Sequence, residues 1–275
     1  MLALRPMTLL EIIDASFRIY RNNFWLLFGV AAIAFVPLQV ISNALQFMGQ
    51  SSEGLALLGA LTLPLAAVAS LLGGAAMTKA AVSRYLNEPE TVGGAWVFIL
   101  KKCVAYTLTI VVAGFLVIAG VVLLIVPGII FAFWCYFVNQ VFVVEGLRSA
   151  QAIRRSRQLM AGYWAKAFAV GIVGSMAAWI ILMLFAVPSG IVLAVSKQPA
   201  GIMGAVGAIF GILEGVGNAF VQPIPLLMGI LLYFDSRIRK EGFDIEMLAR
   251  QLGSTIQPPQ PPQPPQPTEP AQPPA

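Results

Sequence analysis

The sequence predicts an all-α integral membrane protein, a bundle of six transmembrane helices with amphipathic helices on the cytoplasmic interface. Three observations carry that prediction. The chain is 59% apolar and only 11% charged, with a mean hydropathy of +0.84, whereas soluble domains average about half apolar and about a quarter charged. Its apolar residues fall into long runs separated by short polar stretches. When six spans are drawn through those runs, every Lys and Arg except Lys197 lands on one side, the pattern expected of cytoplasmic loops.

Residues 1–23 form the first segment. Thr8 and Glu11 have capping-box spacing, and Leu9, Leu10, Ile13, Phe17 and Tyr20 recur at helical intervals with Glu11, Asp14, Arg18 and Arg21 elsewhere on the wheel. This predicts a short amphipathic helix on the cytoplasmic surface, too charged for a cleavable signal peptide. The six-span domain occupies 24–236. Span one, 24–41, contains Pro37, and the loop after it carries Glu53 and no Lys or Arg, so it is placed outside. Span two, 55–77, returns to Lys79 and Arg84. Residues 91–102 read as a second surface segment ahead of span three, 104–126.

Val126-Pro127-Gly128 is expected to reverse the chain, because Pro removes a donor and Gly permits positive φ. Span four, 129–144, is then close to the ~17-residue minimum and carries Asn139 and Gln140. In the strongly basic 146–166 stretch, Ala152, Ile153, Ser156, Leu159, Met160 and Tyr163 make one stripe, while Arg148, Arg154, Arg155 and Arg157 project elsewhere. That is an interfacial helix. Span five is 167–187. The sixth apolar region, 201–234, is about 51 Å long at 1.5 Å per residue, too long for one straight crossing of a ~30 Å core. It reads as a helix kinked at Pro223 and Pro225 or as a re-entrant pair.

A basic segment, 237–256, follows, with Asp244 placed to cap a short helix to Leu252. Residues 257–275 hold ten Pro in a Pro-Pro-Gln repeat, a polyproline-like tail that serves either as a spacer or as a ligand for a partner's aromatic groove. Phe24-Trp25, Ala95-Trp96 and Tyr163-Trp164 each precede an odd-numbered span. Three hairpin units would produce this, and so would an ordinary aromatic belt.

The chemistry is sparse. The chain has no His, no phosphate-binding Gly loop and no cluster with metal-ligand spacing, so neither a catalytic residue nor a cofactor or metal is expected. The +5 net charge lies beside apolar spans, where it meets lipid headgroups rather than nucleic acid. Cys103 and Cys135 read as packing residues. Glu214 is the one ionisable side chain near the middle of a span, with Asn218 and Gln222 one and two turns along. This stripe suits a proton or cation path. The Gly207, Gly211 and Gly215 ridge on the same helix instead suits close helix packing, with Glu214 bonding across the interface.

Three stretches, LRPMTLLEIIDASFRIYRNNFWLL, VPGIIFAFWCYFVNQVFVVEGLRSAQAIRRSRQLMAGYWAKAF and LLYFDSRIRKEGFDIEMLARQL, resemble a bacterial family related to the membrane domain of glycerophosphoryl diester phosphodiesterases. Many of its members are stand-alone multi-pass proteins. The resemblance implies an all-helical fold in the bacterial plasma membrane and brings no catalytic residue, since the fused relatives keep their chemistry in a separate soluble barrel that this chain lacks.

The sequence therefore predicts a non-enzymatic plasma-membrane protein with both termini cytoplasmic. Arg154, Arg155, Arg157, Arg237, Arg239 and Lys240 are its expected contacts to anionic inner-leaflet lipid, and the bundle or the tail its surface for a membrane or cytoplasmic partner. The alternatives are a small-solute or proton-coupled transporter using Glu214, and a membrane component of a phospholipid or glycerophosphodiester pathway.

Overall fold

The computed structural model describes residues 6–49, 53–195, 200–243 and 245. Among them the chain forms eleven helices and no strand: α1 Leu9–Asn22, α2 Phe24–Gly49, α3 Glu53–Tyr85, α4 Val92–Leu100, α5 Cys103–Leu123, α6 Ile125–Cys135, α7 Val138–Glu145, α8 Ser149–Met160, α9 Trp164–Val195, α10 Ala200–Val221 and α11 Pro223–Glu241. Five stretches are long and apolar enough to cross a membrane: Phe24–Met48, Leu57–Tyr85, Cys103–Leu123, Ile125–Glu145 and Ala205–Glu241. A sixth is reached only if α8 and α9, which meet at 102°, count as one broken span. These helices are those of a multi-pass membrane protein. Apart from Ile245, the expected helix 244–252 lies outside the described residues, as do the 257–275 tail and Lys197.

The capping box forms as the spacing requires. Thr8 N–H donates to Glu11 Oε2 (2.7 Å) and Glu11 N–H to Thr8 Oγ1 (3.4 Å). The buried stripe of α1 differs from the expected one. It runs through Ile12, Ala15, Ser16, Ile19 and Tyr20, while Leu10 and Phe17 are exposed. This face packs chiefly on α11.

Helices α2, α3 and α10 form a tight group. Gly207 of α10 lies against Asn43, Ala44 and Phe47, Gly211 against Gln39 and Val40, and Gly215 against Val36. The pairing is therefore antiparallel. A Cβ on any of the three would come within 2.7 Å of an α2 atom, which is the close backbone approach that small residues at fourfold spacing permit. On the other side of α2, Gly73 of α3 abuts Ala34.

The third-to-fourth reversal is earlier than the sequence suggested. Leu124 alone is extended (φ −166°, ψ 146°), Pro127 sits in the first turn of α6, where its missing N–H costs nothing, and Gly128 packs on Val121 and Gly120. The fourth apolar stretch consequently begins at Ile125 and has 21 residues rather than the expected minimum, and it is broken between α6 and α7. Asn139 is satisfied inside the protein: it accepts from Tyr106 Oη (3.2 Å) and donates to Thr78 Oγ1 (2.7 Å).

The long sixth region divides at Gln222 into α10 and α11, with Pro223 opening α11. Residues 227–236 of α11 are buried without interruption. A helix apolar all round belongs in the middle of a bundle, and α11 is packed by α1, α3, α8 and α9. Its outer neighbours carry the lipid-facing surface, with Leu61, Phe115, Trp179 and Ile191 among many large exposed apolar side chains.

Candidate functional site

The polar ends of α1, α7, α8, α9 and α11 meet at one end of the bundle, where two carboxylates organise the basic side chains. Asp235 of α11 is 0% exposed. It accepts from Met7 N–H (2.7 Å), Lys166 Nζ (2.6 Å) and Arg239 Nε (3.1 Å). Lys166 and Arg239 both also donate to the Met7 carbonyl. The chain start before α1 is thereby tied to α9 and α11. Burying a carboxylate is costly unless it is paired and hydrogen-bonded, and here three donors from three elements satisfy it.

The second carboxylate is Glu145, the last residue of α7. It accepts from Arg155 Nε (2.7 Å) and from Tyr233 Oη (2.7 Å). The outer edge of the Arg155 guanidinium holds Glu241 through two parallel bonds, and Arg237 Nε bonds Glu241 as well (3.1 Å). Arg155 thus joins α7, α8 and α11 with the fork geometry a lysine lacks. Lys240 Nζ donates to the carbonyls of Gln158, Leu159 and Ala161, closing the C-terminal end of α8 with the charge its dipole favours.

This divides the six cations expected to meet lipid. Arg155, Arg237, Arg239 and Lys240 hold other parts of the chain together. Arg154 and Arg157, on the exposed face of α8, instead line a cavity of about 510 Å³ with Trp134, Gln158, Ala161 and Trp164. The Arg157 guanidinium lies 4.0 Å from the Trp134 ring centroid, a cation–π stack. A second cavity, about 420 Å³, shares Trp134, Arg154 and Arg157 and continues along Val112, Phe115, Leu116 and Ala119 of α5. The two together have a cationic aromatic mouth and an apolar extension. The buried side of α8 is Ala152, Ser156, Leu159 and Met160, four of the six residues of the expected stripe, with Ile153 and Tyr163 only half-buried, and Ser156 Oγ accepts from Phe137 N–H (3.0 Å) to fix the helix beneath the α6–α7 break.

Glu214 is placed where α2, α9 and α10 converge. Gln39 Nε2 and Asn43 Nδ2 donate to its Oε2 (2.8 and 3.0 Å), and Ser189 Oγ to its Oε1 (2.5 Å). The expected stripe does not assemble as such. Asn218 bonds back to the Glu214 backbone carbonyl (3.0 Å), and Gln222 lies at the α10–α11 break. Gln39, Asn43 and Ser189 were not singled out by the sequence, although the first two sit at i, i+4 in an otherwise apolar span and so share a face. Each Glu214 oxygen is engaged by a neighbouring helix, an arrangement that ties three spans together. Glu214→Gln should keep these contacts, since an amide both accepts and donates, and change stability by less than ~1 kcal/mol. Glu214→Ala should cost about 1–3 kcal/mol by leaving the donors unpaired; denaturant titration in detergent micelles measures both.

No family model matches the chain, and no curated protein or solved structure matches it either.

Proposed function

We propose that the protein is a non-enzymatic component of a bacterial plasma membrane that holds anionic phospholipid at the inner leaflet, with both termini cytoplasmic. The observation that carries this reading is the pair of adjoining cavities at α8. Their shared rim of Arg154, Arg157 and Trp134 suits a phosphate, and the extension along Val112, Phe115 and Leu116 suits an acyl chain. A combined amphiphile site of this size falls within the ~300–1,000 Å³ of small-ligand pockets. Orientation is supported by charge. The basic ends of α8, α9 and α11 gather at one end of the bundle, and cytoplasmic loops are the ones that keep Lys and Arg.

The transport alternative rests on Glu214, whose two oxygens are taken by side chains of α2 and α9, so packing is the better account of that residue. The resemblance to phosphodiesterase membrane domains and a place in a phospholipid or glycerophosphodiester pathway call for the same ligand class, and they stand as proposals beside this one.

The test uses full-length protein in nanodiscs with phosphatidylglycerol diluted into phosphatidylcholine. Arg154→Gln/Arg157→Gln should bind phosphatidylglycerol roughly thirtyfold more weakly than the parent, at about 1 kcal/mol per basic residue near a membrane surface. Equal binding by the two proteins removes the reading. Competition by inorganic phosphate alone, with no dependence on the acyl chain, would show that the apolar extension plays no part.

A further inference from the structure

We propose that the α5–α6 hairpin does not cross the bilayer: it enters the leaflet next to Arg154 and Arg157, turns at Leu124 within the hydrocarbon, and returns to the same face. Its surface is then covered by the acyl chains of one leaflet.

The tip chemistry points there first. Residues 121–130, Val-Val-Leu-Leu-Ile-Val-Pro-Gly-Ile-Ile, include no polar side chain. They are also open, with Val122 80%, Leu124 67% and Ile125 72% exposed. A hairpin reaching the opposite aqueous face would present this apolar turn to water, whereas the interfaces of crossing helices carry polar or aromatic anchors. Within hydrocarbon the same residues are solvated as the rest of the lipid-facing surface is.

Depth agrees. Three contacts tie the hairpin to elements that mark the near interface: Arg157 stacks on Trp134, Trp164 stacks on Phe133 at the start of α9, and Thr109 Oγ1 accepts from the Ser149 N–H that opens α8 (3.0 Å). From Trp134 to Leu124 is ten residues, at most ~15 Å along a helix. The longer leg, from Thr109, adds up to ~22 Å. Both fall short of the ~30 Å hydrocarbon thickness. By contrast α9, starting from the same level, runs on for 32 residues, about 48 Å. The 21-residue stretches 103–123 and 125–145 are long enough only by count: Val138, Gln140, Val141, Phe142 and Val143 of α7 are buried in protein, and in the first turns of α5 Tyr106 and Thr109 are buried while Val104 and Leu108 stay exposed.

The turn also bonds part of its own backbone. Backbone groups in hydrocarbon must be bonded internally, and the Leu124 N–H donates to Gly120 O (3.0 Å) while Leu124 O accepts from Gly128 N–H (3.3 Å). Pro127 removes another donor. Gly120 and Gly128 let the legs touch, since a Cβ on Gly120 would fall 2.9 Å from the Gly128 Cα. The result is a narrow apolar wedge. Both ends of the hairpin stay on the side of Lys101, Lys102 and Arg154, so the charge rule holds with two fewer crossings.

Nitroxide depth measurement on the full-length protein in bilayers tests this. Spin labels on Leu124→Cys, and separately on Val122→Cys, with Cys103 and Cys135 changed to Ala, should sit near the bilayer midplane, more accessible to oxygen than to a water-soluble nickel complex. Two exposed positions are used so that the result does not depend on one variant. Labels at the far interface, with nickel access equal to that of a Gly54→Cys control at the exposed start of α3, would overturn the proposal, as would labels in water on the near side. The readout uses no headgroup selectivity, so it stands or fails separately from lipid binding.

Discussion

Gly211→Leu should prevent the α2–α10 pair from assembling. A Cβ at Gly211 already falls 2.6 Å from the Val40 Cα and 2.7 Å from the Gln39 carbonyl oxygen, and these are backbone atoms that cannot rotate away. Ordinary overpacking costs about 1–3 kcal/mol because side chains and backbone can adjust in part. Here the whole helix must move, and moving it also withdraws Gln39 and Asn43 from Glu214. The expected loss is at least ~3 kcal/mol, read as a lower denaturation midpoint in micelles and a lower yield of folded protein. Gly211→Ala should show a smaller loss of the same sign. Gly114→Ala is the control: nothing lies within 4 Å of its Cβ, so replacing glycine inside a helix there should be neutral or stabilising by up to ~1 kcal/mol. Equal behaviour of the Gly211 and Gly114 variants would show that the ridge is not a packing surface.

Asp235→Asn should be nearly as damaging for an electrostatic reason. The substitution keeps the shape and removes the charge, leaving Lys166, whose side chain is 22% exposed, without its counter-ion. Breaking one side of a buried pair costs about 3–5 kcal/mol, whereas replacing both partners by apolar groups can be close to neutral. Asp235→Leu with Lys166→Met should therefore recover much of what either single change loses. Arg239, at 45% exposure, can turn to water. A double-mutant cycle measured by thermal denaturation in detergent decides the matter: strict additivity would mean that Asp235 and Lys166 are not energetically coupled.

These two sites differ in how far the sequence revealed them. The glycine ridge is legible because fourfold spacing of residues without side chains has few causes in an apolar helix, and the α8 stripe and the Thr8–Glu11 cap are legible because each depends on neighbours within one turn. The carboxylate at Glu214 stood out for the same local reason. Its partners on α2 and α9 did not, because they come from 171 residues upstream and 25 residues upstream. Asp235 and Glu145 were hidden more completely. A lone acidic residue at the edge of an apolar run looks the same whether it faces water or collects three donors. The same ambiguity made Arg155, Arg237, Arg239 and Lys240 read as lipid contacts; periodicity locates a side chain on a helix face and says nothing of which helix lies opposite. The rotation of α1 follows from that limit too, since both Leu10 and Ile12 are apolar and only the neighbour decides between lipid and protein.

The position of α11 bears on how the chain is made. This helix, buried from residue 227 to 236, is the last of the eleven to leave the ribosome, yet it is the one that α1, α3, α8 and α9 share. Until it arrives, Lys166 and Arg155 lack the acidic partners at 235 and 241, and α1, α8 and α9 lack the helix they all pack against, although α2, α3 and α10 can already pair. Assembly of that half of the bundle therefore has to wait for α11, and a nascent chain halted before Pro223 should be a substrate for membrane quality control rather than a partly working protein.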